Sequence, residues 1–323
     1  VQAEIEKCPG GVEEIELCLI SQSVIRTLLY FDIFHYPITL DELYEYCNGY
    51  PSTKKEIEKR LLTLENLGFI SRKGVFYYIK THNMSALVEN RVRGNKEAEK
   101  LLKLSRSFSK FISCFPFVKG ICLSGSLSKG YADKQSDIDY FIVTEPGRLW
   151  IARTLLILFK KLFLFNSKKY FCVNYFVDTN SLEIPDKNLF VATELVSILP
   201  AANQELYQRL RCANLWVRQY LPNNTLRVNK YDTLPENRNL LKRLIEKLFE
   251  DKFGDKVDDF FFRLTLSTWK KKFKHFNPDE FDLKMRTRKN VSKHHPNGFQ
   301  SKIMKQFEES IKKYEKQFEV NLG

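Results

Sequence analysis

Apolar residues first recur at helical spacing over Ser21–Phe31, and again at Ile57, Leu61, Leu64 and Leu67, one face of a helix that opens at Ser52 or Thr53. Between these segments Thr39 and Glu42 stand three residues apart, the pattern of a capping box, so a short helix is expected after the break at Pro37. Beyond Gly68 the period changes, and Phe69–Ile79 predicts two short strands around a Lys73-Gly74 turn. A polar helix from about Ser85 to Cys114 follows. Phe117–Leu123 then reads as a strand, Ser128 onward as a short helix, Asp137–Thr144 as a strand, Arg148–Phe165 as a helix and Tyr170–Val177 as a strand. Strands separated by helical segments imply a sheet covered by helices. Asn188–Tyr220 is helical with a break at Pro200; helical periodicity returns over Glu236–Trp269 and Ser301–Phe318, with Asp279–Gly298 between them as a polar, basic loop.

Three helices and a hairpin near the start form a winged-helix pattern, the helix-turn-helix variant that often carries DNA binding. Lys54, Lys55, Lys59 and Arg60 on its third helix and Arg72 and Lys73 on its hairpin stand where phosphate contacts would fall. Yet residues 1–80 hold 9 basic and 12 acidic side chains, which argues against nucleic-acid binding and favours the same positions as solvent faces of a docking or scaffolding module. The expected fold is α+β: a winged-helix-like domain over residues 1–84, a small mixed-sheet domain with its leading helix over 85–187, and an α-helical C-terminal region over 188–323. Leu149–Phe165 is the most apolar stretch. Arg153, Lys160 and Lys161 interrupt it, and a membrane span needs about twenty apolar residues, so a mostly buried helix is expected.

Composition narrows the class. With 323 residues and 43% hydrophobic side chains, the chain is large enough for real cores, which excludes disordered, collagenous and rod-like classes. The 52 Lys+Arg exceed the 39 Asp+Glu by 13, a prior for a polyanionic partner such as nucleic acid or a nucleoside triphosphate. That excess lies in the body and the C-terminus, not in the first eighty residues. Seven scattered Cys form no CxxC or CxxH pair and are read as reduced thiols of a cytoplasmic protein, and the acidic opening is not that of a signal or transit peptide.

The chemistry concentrates in one segment. The apolar run Ile121-Cys122-Leu123 ends at Ser124-Gly125-Ser126, a short insert follows, and Ser136-Asp137-Ile138-Asp139 enters the next apolar run. On a strand, residues two apart share a face, so Asp137 and Asp139 are expected side by side with Ile138 turned into the core. Paired carboxylates repel unless a divalent cation joins them, and an oxygen-only donor set selects Mg²⁺ or Mn²⁺. Gly125 admits close backbone approach, and Ser126 places a hydroxyl and an N–H at a helix start, where an anion is favoured.

This arrangement resembles the nucleotidyltransferase superfamily of DNA polymerase β, whose members carry Gly-Ser and, about ten residues later, Asp-x-Asp on the next strand. The matching residues are Gly125, Ser126, Asp137 and Asp139, with Leu127-Ser128-Lys129-Gly130 as the small and basic insert. The resemblance covers roughly residues 100–200. It implies a Mg²⁺-dependent (or Mn²⁺-dependent) enzyme that moves a nucleoside monophosphate from a nucleoside triphosphate, expected to be ATP, to an acceptor hydroxyl. Nucleotide binding would fall on Gly125, Ser126, Ser128 and Lys129, and metal binding and catalysis on Asp137 and Asp139. The family wants a third carboxylate on a later strand. Here that position reads Asn174; Asp178 follows on the same strand face, displaced by roughly 13 Å. An Asn cannot serve as a base, which bears on catalysis more than on nucleotide binding.

Other residues stay open. Glu194 stands amid apolar neighbours as a buried partner, a site residue or a plain helix-face acid. Lys168 and Lys169, and the basic segments Lys270–His275 and Lys284–Lys293, read as nucleic-acid contacts or as solvated surface; His294-His295 lacks partners at metal-site spacing. The acceptor can be a small molecule, a protein or an RNA. The competing class is a catalytically weak or inactive nucleotide-binding regulator whose winged helix engages nucleic acid or protein.

Overall fold

The computed structural model describes residues 17–79, 84–167, 169–224 and 233–323, so Cys8 and Lys168 lie outside the described residues. The N-terminal segment runs α1 (Leu19–Asp32), β1 (Ile38–Thr39), α2 (Leu40–Glu45), α3 (Lys54–Asn66), β2 (Ser71–Lys73) and β3 (Phe76–Tyr78). Its three strands pair antiparallel in the order β1-β3-β2. The expected box is in place at α2, where the Thr39 hydroxyl accepts the Glu42 N–H and the Glu42 carboxylate accepts the Thr39 N–H; Thr53 and Glu56 do the same for α3. Ile57, Leu61 and Leu64 form the buried face of α3.

The long helix α4 (Met84–Ser113) leads into β4 (Val118–Ser124), the single turn α5 (Gly125–Ser128), β5 (Asp139–Thr144), α6 (Leu149–Phe163) and β6 (Cys172–Asp178). The rest comprises α7 (Leu189–Ser197), β7 (Leu199–Ala202), α8 (Gln204–Ala213), α9 (Leu240–Leu248), α10 (Lys252–Lys272), α11 (Pro278–Met285), β8 (Thr287–Arg288), β9 (Val291–Lys293) and α12 (Phe299–Phe318). A six-stranded mixed sheet in the order β7-β4-β5-β6-β9-β8 organises them. Among the described strands only β5 and β6 pair in parallel, as a crossover through α6 requires. One sheet face buries Leu123, Tyr140, Ile142, Val173 and Phe176 with Leu101 of α4 and Trp150 and Leu156 of α6. The opposite face buries Cys122, Phe141, Val143 and Val177 in a core shared with the N-terminal segment, α7, α8 and α12.

Four features depart from the expected pattern. The region after residue 188 is not purely helical, because it supplies β7, β8 and β9, the three outer strands. Pro200 is tolerated in β7 because that strand lies at the edge of the sheet. Residues 279–298, expected as a loop, hold most of α11 and the β8–β9 hairpin, which pairs with β6. The stretch Leu149–Phe165 is only half buried, since Leu158, Leu162, Phe163 and Phe165 face solvent. Among the described residues no helix is long and apolar enough to cross a membrane.

Candidate nucleotide-binding site

β4 and β5 pair antiparallel with Ser124 opposite Asp139, so the turn that leaves β4 lies against the start of β5. Gly125 makes this possible. Its φ is +72°, and a Cβ there would stand 2.7 Å from Asp139 Oδ2. Only a residue without a side chain lets the backbone pass under that carboxylate. Ser126 follows with its side chain exposed. Ser128 turns inward, donating to the Gly125 carbonyl at 2.8 Å and lying 3.3 Å from the Ser197 hydroxyl of α7. Lys129 Nζ reaches back to the Gly125 carbonyl at 3.3 Å and pairs with Glu194 Oε1 of α7 at 2.6 Å.

The strand begins at Asp139, so Asp137 precedes it and is not the strand residue expected from alternation. Ile138 nevertheless bonds as a strand residue would, donating to the Lys169 carbonyl at 2.9 Å and accepting from the Cys172 N–H at 3.1 Å. Its side chain is fully buried, as expected, and the two half-buried carboxylates flank it. Burial, joined by the charges of Asp137 and Glu194, pushes the Asp139 carboxyl up to about 6, against the opposing pull of the Cys172 thiol and Lys129. Burial and Asp139 likewise hold the Cys172 thiol well above its ordinary range.

The two third-ligand candidates separate cleanly. Tyr140 pairs with Val173 but Phe141 pairs with Tyr175, so Asn174 is an extra residue in β6, a bulge beside the site. Its amide nitrogen points to Asp139 Oδ1 at 3.3 Å and to Cys172 Sγ at 2.9 Å. Asp178 sits at the other end of the ladder, opposite Thr144, where its carboxylate accepts the Asn180 N–H. The structure therefore brings together Gly125, Ser126, Ser128, Lys129, Asp139 and Asn174, with Asp137 at the edge and Asp178 apart.

Two neighbours were not foreseen as such. The His294 N–H donates to the Asn174 carbonyl at 3.0 Å because β9 continues along β6. His295 packs its ring edge-on against Tyr175; burial and the Lys293 charge pull it down to about 4, with Glu194 opposing. Neither position was legible while 279–298 read as a loop. The basic residues of that segment are also not free: Lys284 pairs with Glu280, Arg286 and Lys293 with Asp186, Arg288 with Asp282 and Lys289 with Asp259.

Among the described residues no three His, Cys, Asp or Glu side chains converge as a metal cage. The donor set is two carboxylates beside a glycine that leaves space against one of them. Such a set suits a hard cation that takes one or two protein carboxylates and completes its shell from substrate phosphates.

A Gly-Ser turn under the first acid of a neighbouring strand, on a mixed sheet, is the framework of a transferase that handles nucleotidyl groups. The chain belongs to the nucleotidyltransferase domain family of the polymerase β type, whose family description matches residues 103–287, more than half its length. No curated protein and no solved structure matches the chain.

Proposed function

We propose that the protein transfers a nucleoside monophosphate from a nucleoside triphosphate, with ATP as the first choice, to a hydroxyl of an acceptor that is a small molecule, a protein or an RNA. The close approach of Gly125 to Asp139 carries this reading, because it sets an anion-accepting turn against a cation-accepting carboxylate. Gly125 and Ser126 hold the triphosphate, Ser128 braces the turn through the Gly125 carbonyl, and Lys129 adds charge to the phosphates. Asp137 and Asp139 would hold Mg²⁺ or Mn²⁺, which would supply charge neutralisation for the phosphates. Incubating the protein with α-labelled nucleoside triphosphates, Mg²⁺ and cell extract tests the assignment. A labelled product is expected with wild type and not with Asp137→Ala/Asp139→Ala; no product, or equal labelling by both proteins, defeats it.

We assign the described residues 17–79 to a winged-helix domain within residues 1–84, followed by a nucleotidyltransferase domain whose expected span of 85–187 is extended by β7, β8 and β9 of the C-terminal region. Lys54 is paired with Asp41, and Arg72 donates to the Gly74 carbonyl and covers Tyr77, so both of these phosphate-contact positions are already engaged. We infer that the module docks onto its own transferase domain, a reading supported by the bond from the Tyr36 hydroxyl to the Lys129 carbonyl. A second reading, a nucleotide-binding regulator with weak or absent catalysis, draws on Asn174 in the third-acid position. Calorimetric binding of ATP without labelled product would favour it.

A further inference from the structure

Asn174 leaves the proposed reaction without a group to take the acceptor proton, and the surrounding carboxylates differ in their freedom to do so. Glu42 is held by Thr39, Tyr36 and Arg91, Asp186 by Arg286 and Lys293, and Asp133 by the Gln135 N–H and Ser136. Asp178 is at the far end of the ladder. Glu194 is different, because its carboxylate bonds a side chain of the Gly-Ser turn itself. Lys129 Nζ touches both the Glu194 carboxylate and the carbonyl of Gly125, the residue that lies under Asp139. Both partners are partly open to solvent, Lys129 at 14% and Glu194 at 29% of side-chain surface, so an incoming anion can compete for the ammonium. The helix carrying Glu194 stays in register with the turn by other means: Ser197 Oγ donates to the Glu194 carbonyl at 3.0 Å and lies 3.3 Å from Ser128 Oγ.

Building on the reading above, we propose that Lys129 and Glu194 form an exchangeable pair in which Lys129 leaves Glu194 for the triphosphate and the released carboxylate acts as the general base. The acceptor oxygen forms its bond to the α-phosphorus as the bond from that phosphorus to the bridging oxygen breaks. The electron pair departs with pyrophosphate, and the acceptor proton ends on Glu194. Nucleotide binding thereby uncovers the base, and an empty site keeps it neutralised.

The pair makes a prediction of opposite sign to a structural ion pair. Glu194→Gln frees Lys129 without disturbing it, so binding of a non-hydrolysable α,β-methylene ATP with Mg²⁺, measured by calorimetry, is expected to tighten about five- to tenfold. Label transfer by the same variant is expected to fall about 100-fold or more, the usual span for loss of a general base. Lys129→Met is expected to weaken the analogue about tenfold. Glu194→Asp, which keeps a carboxylate in the pair, is expected to retain more transfer than Glu194→Gln, and melting temperatures of all variants confirm the fold. Weaker analogue binding by Glu194→Gln, or transfer within about threefold of wild type, overturns the exchange. Failure of the wild type itself to bind the analogue instead overturns the nucleotide assignment, and the pair with it.

Discussion

Gly125 is irreplaceable on two separate grounds, its left-handed φ of +72° and the 2.7 Å a Cβ would leave to Asp139 Oδ2. Gly125→Ala is expected to cost about 1–2 kcal/mol of stability, as a strained φ usually does. Its effect on ATP binding should be larger, about tenfold or more by calorimetry, because the methyl group occupies the approach to the carboxylate. Equal losses in stability and binding would show the strain alone at work. His295 supplies a second test at this scale. Its pKa is depressed from 6.5 to about 4 in the fold, so between these values the unfolded chain binds the extra proton and acidification favours unfolding. Stability is full above pH 6.5 and falls toward pH 4, by only a fraction of what the whole shift would give, because the residue keeps an exposed surface and solvent screens the charge. Urea unfolding of wild type and His295→Gln across pH 4–7 should show the gap between them shifting against wild type as the pH falls. The charges that face the ring are Lys293 and Glu194. Gly125 and Asp139 were legible because adjacent strands hold them together within a short span of sequence. His295 was not, because its contact with Tyr175 depends on a hairpin docking over a hundred residues after its partner strand.

At the scale of elements, local chemistry was readable and pairing was not. The capping box at Thr39 and the apolar stripe of α3 follow from residues three and four apart, and both are present. β7, β8 and β9 are four, two and three residues long, and two of them contain a basic residue. So short a run has no periodicity of its own; β7 and β9 become strands because β4 and β6 offer unpaired edges, and β8 because it folds back on β9. Helix α9 shows tertiary demand overriding amphipathic pattern. Leu240, Leu241, Leu244 and Leu248 face solvent, while Lys242 is turned inward at 2% exposure to donate to the carbonyls of Ser113 and Val118. Those carbonyls close α4 and open β4, directly upstream of the Gly-Ser turn. Lys242→Met should therefore cost about 2–3 kcal/mol, since it leaves buried acceptors unpaired. Thr53→Ala, which removes only the cap of α3, should cost about 1 kcal/mol. Denaturant melts of the two variants would rank them, and the reverse order would contradict the assigned role of Lys242.

For the whole molecule, the N-terminal segment and the transferase domain share a core and a polar joint. The Tyr36 hydroxyl lies 2.7 Å from the carbonyl of Lys129, just after the Gly-Ser turn, and 2.8 Å from the Glu42 carboxylate, and the Arg91 guanidinium stacks 3.8 Å above its ring. From the other end of the chain, α12 sets Phe307 against Tyr30 and donates the Tyr314 hydroxyl to the Phe69 carbonyl at 2.7 Å. The apolar core of α1 and α3 is continuous with that of the sheet face, α7 and α12, so neither part can open without exposing the other. A separate N-terminal domain on a linker would unfold by itself. Here one cooperative transition is expected, with the fluorescence of Trp150, Trp216 and Trp269, all outside that segment, changing at the same denaturant concentration at which amides of α1 lose hydrogen-exchange protection. Earlier exchange of α1 would refute the shared core. The charge distribution fits the same picture. Residues 1–80 are net acidic, with 9 basic against 12 acidic side chains, whereas the rest of the chain holds 43 basic against 27 acidic. The N-terminal segment is thus built to seat on a basic body through Tyr36, Glu42 and Arg91, beside the turn that would receive a triphosphate.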